Sequence, residues 1–236
     1  MVLPTLNTPK FKMKLPSDGR TVNFRPFLVK EEKILLIATE TGDQNSMVSA
    51  IKDIIGACTD ITDVENLATF DIEYVFLQIR TKSVGESVDV TVLCPDDEET
   101  EVQVKIPLND IKIKKTKGHK HELKLSDEVV LTMKYPTLET FVKMNFAGEE
   151  PGVDQVFDMA ASCISAITDP EQVYEAADIP TQEMKDFLDT MTSDQFKQIQ
   201  NFFESMPKLQ HVVKVLNPNT KVESDVTLEG LAAFFG

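Results

Sequence analysis

The chain has little with which to perform covalent or metal chemistry: three cysteines and three histidines in 236 residues. Cys58, Cys94 and Cys163 are odd in number and widely spaced, with no C-x-x-C pair. That is the usage of reduced, buried thiols rather than of a disulfide framework. There is no G-x-S-x-G, no H-E-x-x-H and no glycine-rich phosphate loop, so no enzyme is expected and no residue is assigned a catalytic or cofactor-binding role. No apolar run approaches the roughly 18 residues of a membrane-spanning helix. The opening residues 1–9 lack a basic region and a continuous apolar region, so they are not read as a signal peptide. Basic residues are also few, 24 against 39 acidic ones, for a net charge of −15. Binding to nucleic acid or to anionic lipid needs basic residues, so neither partner is expected.

What is present is a core. Apolar residues make up 42% of the chain, enough for one large domain or smaller ones packed closely. Phe11, Met13 and Leu15 alternate with Lys10, Lys12 and Lys14, the period of a half-buried strand. Ser17-Asp18-Gly19-Arg20 reads as a hairpin turn leading to Val22 and Phe24. A helix follows over Val29–Thr39, introduced by Pro26, with Glu31 and Glu32 in an early turn. Its apolar face is read as Phe27, Leu28, Ile34, Leu35 and Ala38, with Lys30, Glu31, Glu32 and Lys33 largely opposite. A second helix, capped by Asn45 or Ser46, carries Met47, Val48, Ile51, Ile54, Ile55 and Cys58. Thr62-Asp63-Val64-Glu65 has capping-box form for one short turn. Thr69 opens a third helix with Ile72, Val75, Phe76 and Ile79 on one stripe. Tyr74 and Leu77 lie off that stripe, so burial on more than one side is expected.

From Glu86 the period changes to two. Val88, Val90 and Val92 lead to a turn at residues 95–99, and Val102, Val104, Ile106 and Leu108 return. The same construction recurs near the end, where Val213, Val215 and Leu216 precede Asn217-Pro218-Asn219-Thr220 and Val222, Val226 and Leu228 follow. The two hairpins are either an internal repeat or convergence on the same turn chemistry. Between them Ile111 and Ile113, a basic loop at residues 114–121, Leu123 and Leu125, and then Val129, Leu131 and Met133 read as an antiparallel meander. A helix with Leu138, Phe141 and Val142 follows, and Gly148-Glu149-Glu150-Pro151-Gly152 reads as a linker.

Beyond the linker the chain reads as helical. Val153, Val156, Phe157, Ala160, Ile164 and Ile167 form one stripe, and Asp169-Pro170 has the form of a helix cap. Met184, Phe187 and Leu188 follow Thr181. Thr192-Ser193-Asp194-Gln195 is a capping box ahead of Phe196, Ile199, Phe203 and Met206. The expected fold class is α+β, with helical N- and C-terminal parts around antiparallel hairpins and a short meander. Three segments are expected: 1–86, a hairpin with three helices; 87–147, the meander and a helix; and 148–236, helical and closed by a hairpin.

Paired hairpin tips are where zinc ribbons place cysteines. Here one tip keeps Cys94 beside Asp96, Asp97, Glu98 and Glu99, the other offers Asn217, and His119 and His121 reach a metal only if their loop folds over Cys94. No metal site is therefore assigned. The Lys112–Lys120 run reads as a solvated loop or a dock for an acidic partner, and no aromatic residues interleave to stack bases. For the C-terminal segment 228–236 two readings stand. It is either docked in its own core or an exposed anchor for a partner, with Phe234 and Phe235, extended by Phe202, Phe203 and Met206, as the binding residues.

Three stretches carry a resemblance: FRPFLVKEEKILLIA at 24–38, TFDIEYVFLQIRTKSVGE at 69–86, and FFESMPKLQH with VTLEGLAAFFG at 202–211 and 226–236. Together they resemble the baseplate proteins of T4-like contractile-tailed bacteriophages, in particular the hub assembly proteins. The resemblance implies a chaperone-like assembly role, with other hub proteins as partners and the host cytoplasm as the location during assembly. Its alternative is a permanent structural subunit of the hub, located in the tail baseplate of the virion. A metal-dependent binding module is the third reading.

Overall fold

A computed structural model describes residues 7–41, 44–138 and 153–235. They belong to two units, one of residues 1–114 with 208–236 and one of residues 115–207.

The first unit opens with the hairpin that the alternation predicts. Strands β1 (Phe11–Lys14) and β2 (Thr21–Phe24) pair antiparallel. Gly19 takes a φ of 74° in their turn, a conformation that suits a residue without Cβ. Helices α1 (Val29–Thr41), α2 (Gln44–Cys58) and α3 (Thr69–Ser83) follow. On α2 the expected stripe is buried at Ile51, Ile54, Ile55 and Cys58. The helix starts at Gln44, so Asn45 and Ser46 lie inside it rather than at its cap. Residues 62–65 form no helical turn; Asn66 instead bonds the Asp63 carboxylate in an irregular loop. α3 is buried on several sides, with Ile72, Val75, Leu77 and Ile79 fully enclosed.

Strands β3 (Ser87–Leu93) and β4 (Glu101–Pro107) form the expected long hairpin, with Val88 opposite Ile106 and Val92 opposite Val102. The last hairpin, β10 (Lys208–Leu216) with β11 (Glu223–Glu229), belongs to the same unit. It does so because β5 (Lys112–Lys114) pairs with β10, Leu209 opposite Ile113, instead of continuing a meander. The observed units therefore do not follow the three consecutive segments read from the sequence. A short terminal helix, α7 (Ala232–Phe235), closes the unit.

The second unit holds a four-stranded antiparallel sheet, β6 (Glu122–Lys124), β7 (Val130–Met133), β8 (Ile164–Thr168) and β9 (Val173–Glu175), ordered as in the sequence. Here the helical expectation fails. Helix α4 (Val153–Ser162) stops before Ile164, and Ile164–Thr168 is strand. Ile164 and Ile167 satisfy both periods; the open edge of β7 decides between them, with Leu131 pairing Ile167. Asp169 caps no helix. Its carboxylate accepts the amides of Glu171 and Gln172 in the turn between β8 and β9. Helices α5 (Thr181–Asp189) and α6 (Ser193–Ser205) then pack Met184, Leu188, Ile199 and Phe202 against the sheet. Thr192 and Gln195 form the reciprocal capping box that the sequence predicts. The linker at 148–152, with Phe141 and Val142, lies outside the described residues.

Candidate functional site

The two long hairpins of the first unit meet at their tips, and both tips are built alike. Each closes with an amide bonded to a carbonyl four residues earlier, Glu98 to Cys94 and Lys221 to Asn217, both at 3.0 Å. Glu98 and Lys221 accordingly share a positive φ, 54° and 65°. Asn217 is fully buried. Its Oδ1 accepts the amides of Asn219 at 2.8 Å and Thr220 at 3.2 Å, which shapes its own turn. Its Nδ2 crosses to the other tip and donates to Asp97 at 2.8 Å and to both oxygens of Asp96 at 3.1 Å. Thr220 donates to Asp96, and Asn219 to Thr100 at 3.0 Å. Hydrogen bonds from Thr100 and Asn217 hold the Asp97 carboxyl well below the usual carboxylate range. The tips are thus clasped by side-chain hydrogen bonds. Among the described residues no group of three or more His, Cys, Asp or Glu side chains is arranged as a metal site.

A second polar element ties down the C-terminal segment. Glu73 of α3 is buried, and its Oε1 accepts the Leu231 amide at 3.3 Å. Burial raises this carboxyl to about 7, against the hydrogen bonds from the Leu231 and Leu209 amides that favour its charged form. Gly230 makes the bend before it, with φ of 75° and its amide on the Leu209 carbonyl. An acid whose folded value lies above its unfolded value near 4.5 contributes stability at low pH and loses it as pH rises from about 4.5 through about 7. The expected loss is on the order of 3 kcal/mol. Glu73→Gln should flatten that slope, which thermal unfolding of both proteins from pH 4.5 to 8 would measure; parallel slopes would refute the assignment.

The residues expected to bind a partner are distributed between the two units. Phe234 is 2% exposed and belongs to the apolar cluster that also holds Leu77, Val92, Leu108 and Leu209. The segment is therefore docked at this ring, and the structure holds it as core. The Phe235 side chain lies outside the described residues. In the second unit Phe202 is also 2% exposed, while Phe203 and Met206 are half-buried. Phe202 anchors a group of rings with His119 at 4.8 Å, His121 at 5.7 Å and Tyr135 at 5.9 Å. The histidines that a metal would need are engaged there, His119 Nδ1 with Ser205 Oγ at 2.9 Å and His121 Nδ1 with the Met133 carbonyl at 2.8 Å. Burial, and then the neighbouring His121, shift the His119 imidazole below its ordinary value. Burial likewise pushes the Cys58 and Cys163 thiols up to about 11, as expected of core thiols.

Helix α1 corrects the sequence reading most sharply. Glu31, assigned to the solvent face, is 2% exposed. Its carboxylate accepts Arg25 Nη2 at 2.9 Å and the Leu28 amide at 2.8 Å. Burial opposes its ionisation, yet these bonds outweigh that and hold it below its ordinary value. Of the expected apolar face only Ala38 is buried, and Ile34 and Leu28 are each 39% exposed. Leu36 at 59%, Ile37 at 50% and Val29 at 81% face outward. A signal for this was present: Ile34-Leu35-Leu36-Ile37 is an unbroken aliphatic run, and four successive residues wrap a full helical turn. Glu73 had a similar signal, as an acid within a helix read as enclosed on several sides.

A family model described as T4 bacteriophage base plate protein matches residues 8–236. No curated protein and no solved structure matches the chain.

Proposed function

Because the chain belongs to the family of T4 bacteriophage base plate proteins, we propose that it is a non-enzymatic assembly protein of the baseplate hub, one that binds other hub proteins and releases them into the growing particle. The family match over nearly the whole chain, residues 8–236, carries this reading. The net charge of −15 supports it, since self-repulsion keeps an unassembled chain in solution. Binding and release need no covalent step. On this reading the protein acts in the host cytoplasm while the tail is built.

Quantitative mass spectrometry of mature particles beside isolated hub intermediates tests the proposal. The protein is expected in the intermediates and absent from the particles. A fixed stoichiometry in both would make it a permanent structural subunit of the hub, and absence from both would remove it from the hub altogether.

A further inference from the structure

The lysines of the second unit are unevenly placed. Residues 115–207 hold eight lysines and no arginine against seventeen acidic residues. Four of the eight, Lys115, Lys117, Lys120 and Lys134, lie in the loop before β6 and just past the end of β7, and all four are exposed. The β6–β7 register, Glu122 opposite Thr132, continues with the Met133 amide on the His121 carbonyl at 2.8 Å. One step further it sets Lys120 opposite Lys134, and like charges that face each other across two strands repel. Elsewhere in the unit Lys124 pairs with Asp127 and Lys185 with Asp158. Lys117, Lys120 and Lys134 meet no carboxylate among the described residues. The loop that carries them is held from within. Gly118 turns it with a φ of 85°, and the His119 ring is bonded to Ser205 Oγ and stacked on Tyr135 at 5.5 Å. A backbone ordered before binding loses little further freedom when a partner docks.

We propose that this cationic patch, Lys117, Lys120 and Lys134 with Lys115 beside them, docks a short acidic segment of another base plate protein. This rests on the assembly reading above and names the surface that would serve it. The charge that selects the occupant is local. Screening confines each charge to about 8 Å at physiological salt, so neighbouring lysines and not distant acids set the field that a partner meets here. Glu122 flanks the loop and leaves the patch positive. A nucleic acid suits it less well. The rings beside the lysines already contact one another, His119 and His121 with Tyr135 and Phe202, so base stacking would have to break contacts already made. A strand of regular phosphates would also run past the patch onto a surface where acidic residues predominate. In a second copy the longest acidic run is 96–99, of which Asp96 and Asp97 are engaged in the clasp.

The test mixes purified hub proteins of the same phage, one at a time, with wild type and with the triple variant Lys117→Glu, Lys120→Glu, Lys134→Glu. A control, Lys10→Glu, Lys12→Glu, Lys14→Glu, changes the net charge equally at exposed positions of the first hairpin. Affinity is read by sedimentation. Carbodiimide coupling, which joins ammonium and carboxylate groups in contact, is mapped by mass spectrometry. Wild type should bind a hub protein, more weakly as salt rises, and couple through Lys117, Lys120 or Lys134 to an acidic run of it. The triple variant should bind about 10-fold or more weakly and the control within about two-fold of wild type, with melting temperatures within about 2 °C. Full binding by the triple variant, an equal loss in the control, or coupling only at other lysines would overturn the patch and leave the assembly reading standing. Binding of no hub protein by wild type would overturn both. A dimer that depends on these lysines, or tighter binding to a single-stranded oligothymidylate than to any hub protein, would overturn the proposal in favour of that partner. Should the triple variant melt more than about 5 °C lower, Lys117→Gln, Lys120→Gln, Lys134→Gln replaces it under the same outcomes.

Discussion

Truncating Phe234 to alanine is expected to destabilise the first unit by about 3 kcal/mol, a typical loss for a buried phenylalanine. The ring is 2% exposed within the cluster that includes Leu77, Val92, Leu108 and Leu209, and its removal leaves a cavity in that cluster that its neighbours fill only in part. Leu231 is held by Glu73, and the Phe234 amide bonds the Leu231 carbonyl at 3.1 Å within a four-residue helix. Helices that short have no stability of their own, so loss of the ring should free the segment as well. Denaturant unfolding measures the change, and hydrogen exchange at residues 230–235 should rise with it. A loss below about 1 kcal/mol would mean that the ring is not core, and the exposed-anchor reading of the C-terminus would return.

The second large effect is expected at the clasp. Asn217→Ala should cost about 1 to 2 kcal/mol, because it removes a fully buried side chain whose hydrogen bonds, two of its acceptors charged, tie the two turns together. Asn217 is 0% exposed and serves both tips, its Oδ1 within its own turn and its Nδ2 on Asp96 and Asp97. Without it the two carboxylates keep Thr220 and Thr100 but lose their common donor. Asn217→Asp should be worse at neutral pH, since a third carboxylate would then face two others, and should recover partly as pH falls. Asp97 gives the wild type a matching signature. Its carboxyl is depressed in the fold, so its stabilisation is complete above its unfolded value near 3.8 and declines as pH falls below that. Unfolding of the three proteins between pH 3 and 7 distinguishes these cases. Near-equal stability of Asn217→Ala and wild type would mean that hairpin pairing alone, not the clasp, holds the tips together.

These sites were unequally legible in the sequence. Each turn of the clasp could be read from its own residues, and the likeness of the two hairpins was visible in the alignment of Cys94-Pro95 with Asn217-Pro218. Their meeting was not. Asn217 and Asp96 lie 121 residues apart, and the pairing of β5 with β10 is one of the long-range contacts that bring the second hairpin into the unit of the first. Glu31 shows the opposite failure. Its helical phase alone places it between Leu28, Leu35 and Ala38, and it was set on the solvent face because it is charged. Arg25 and the Leu28 amide make its burial tolerable, and neither bond follows from periodicity. In α6 the apolar period places Phe203 on the buried stripe and not Phe202, whereas Phe202 is the ring enclosed by His119, His121 and Tyr135.

The sequence by itself determined the elements whose pattern is local and unopposed. These are the first hairpin with its Asp-Gly turn, both long hairpins, the burial of α3 on several sides, the capping box at Thr192 and a composition rich enough for cores. Backbone sterics and side-chain period act within a few residues, so such features need no partner to be read. Only the tertiary structure decided where an apolar run had two lawful outcomes. Ile164–Thr168 became strand because the edge of β7 was open to it. β5 left the expected meander for β10, and Phe234 found a cavity shaped by α3 and two hairpins. The free energy of those choices lies in contacts between residues far apart in the chain, and no local pattern contains them.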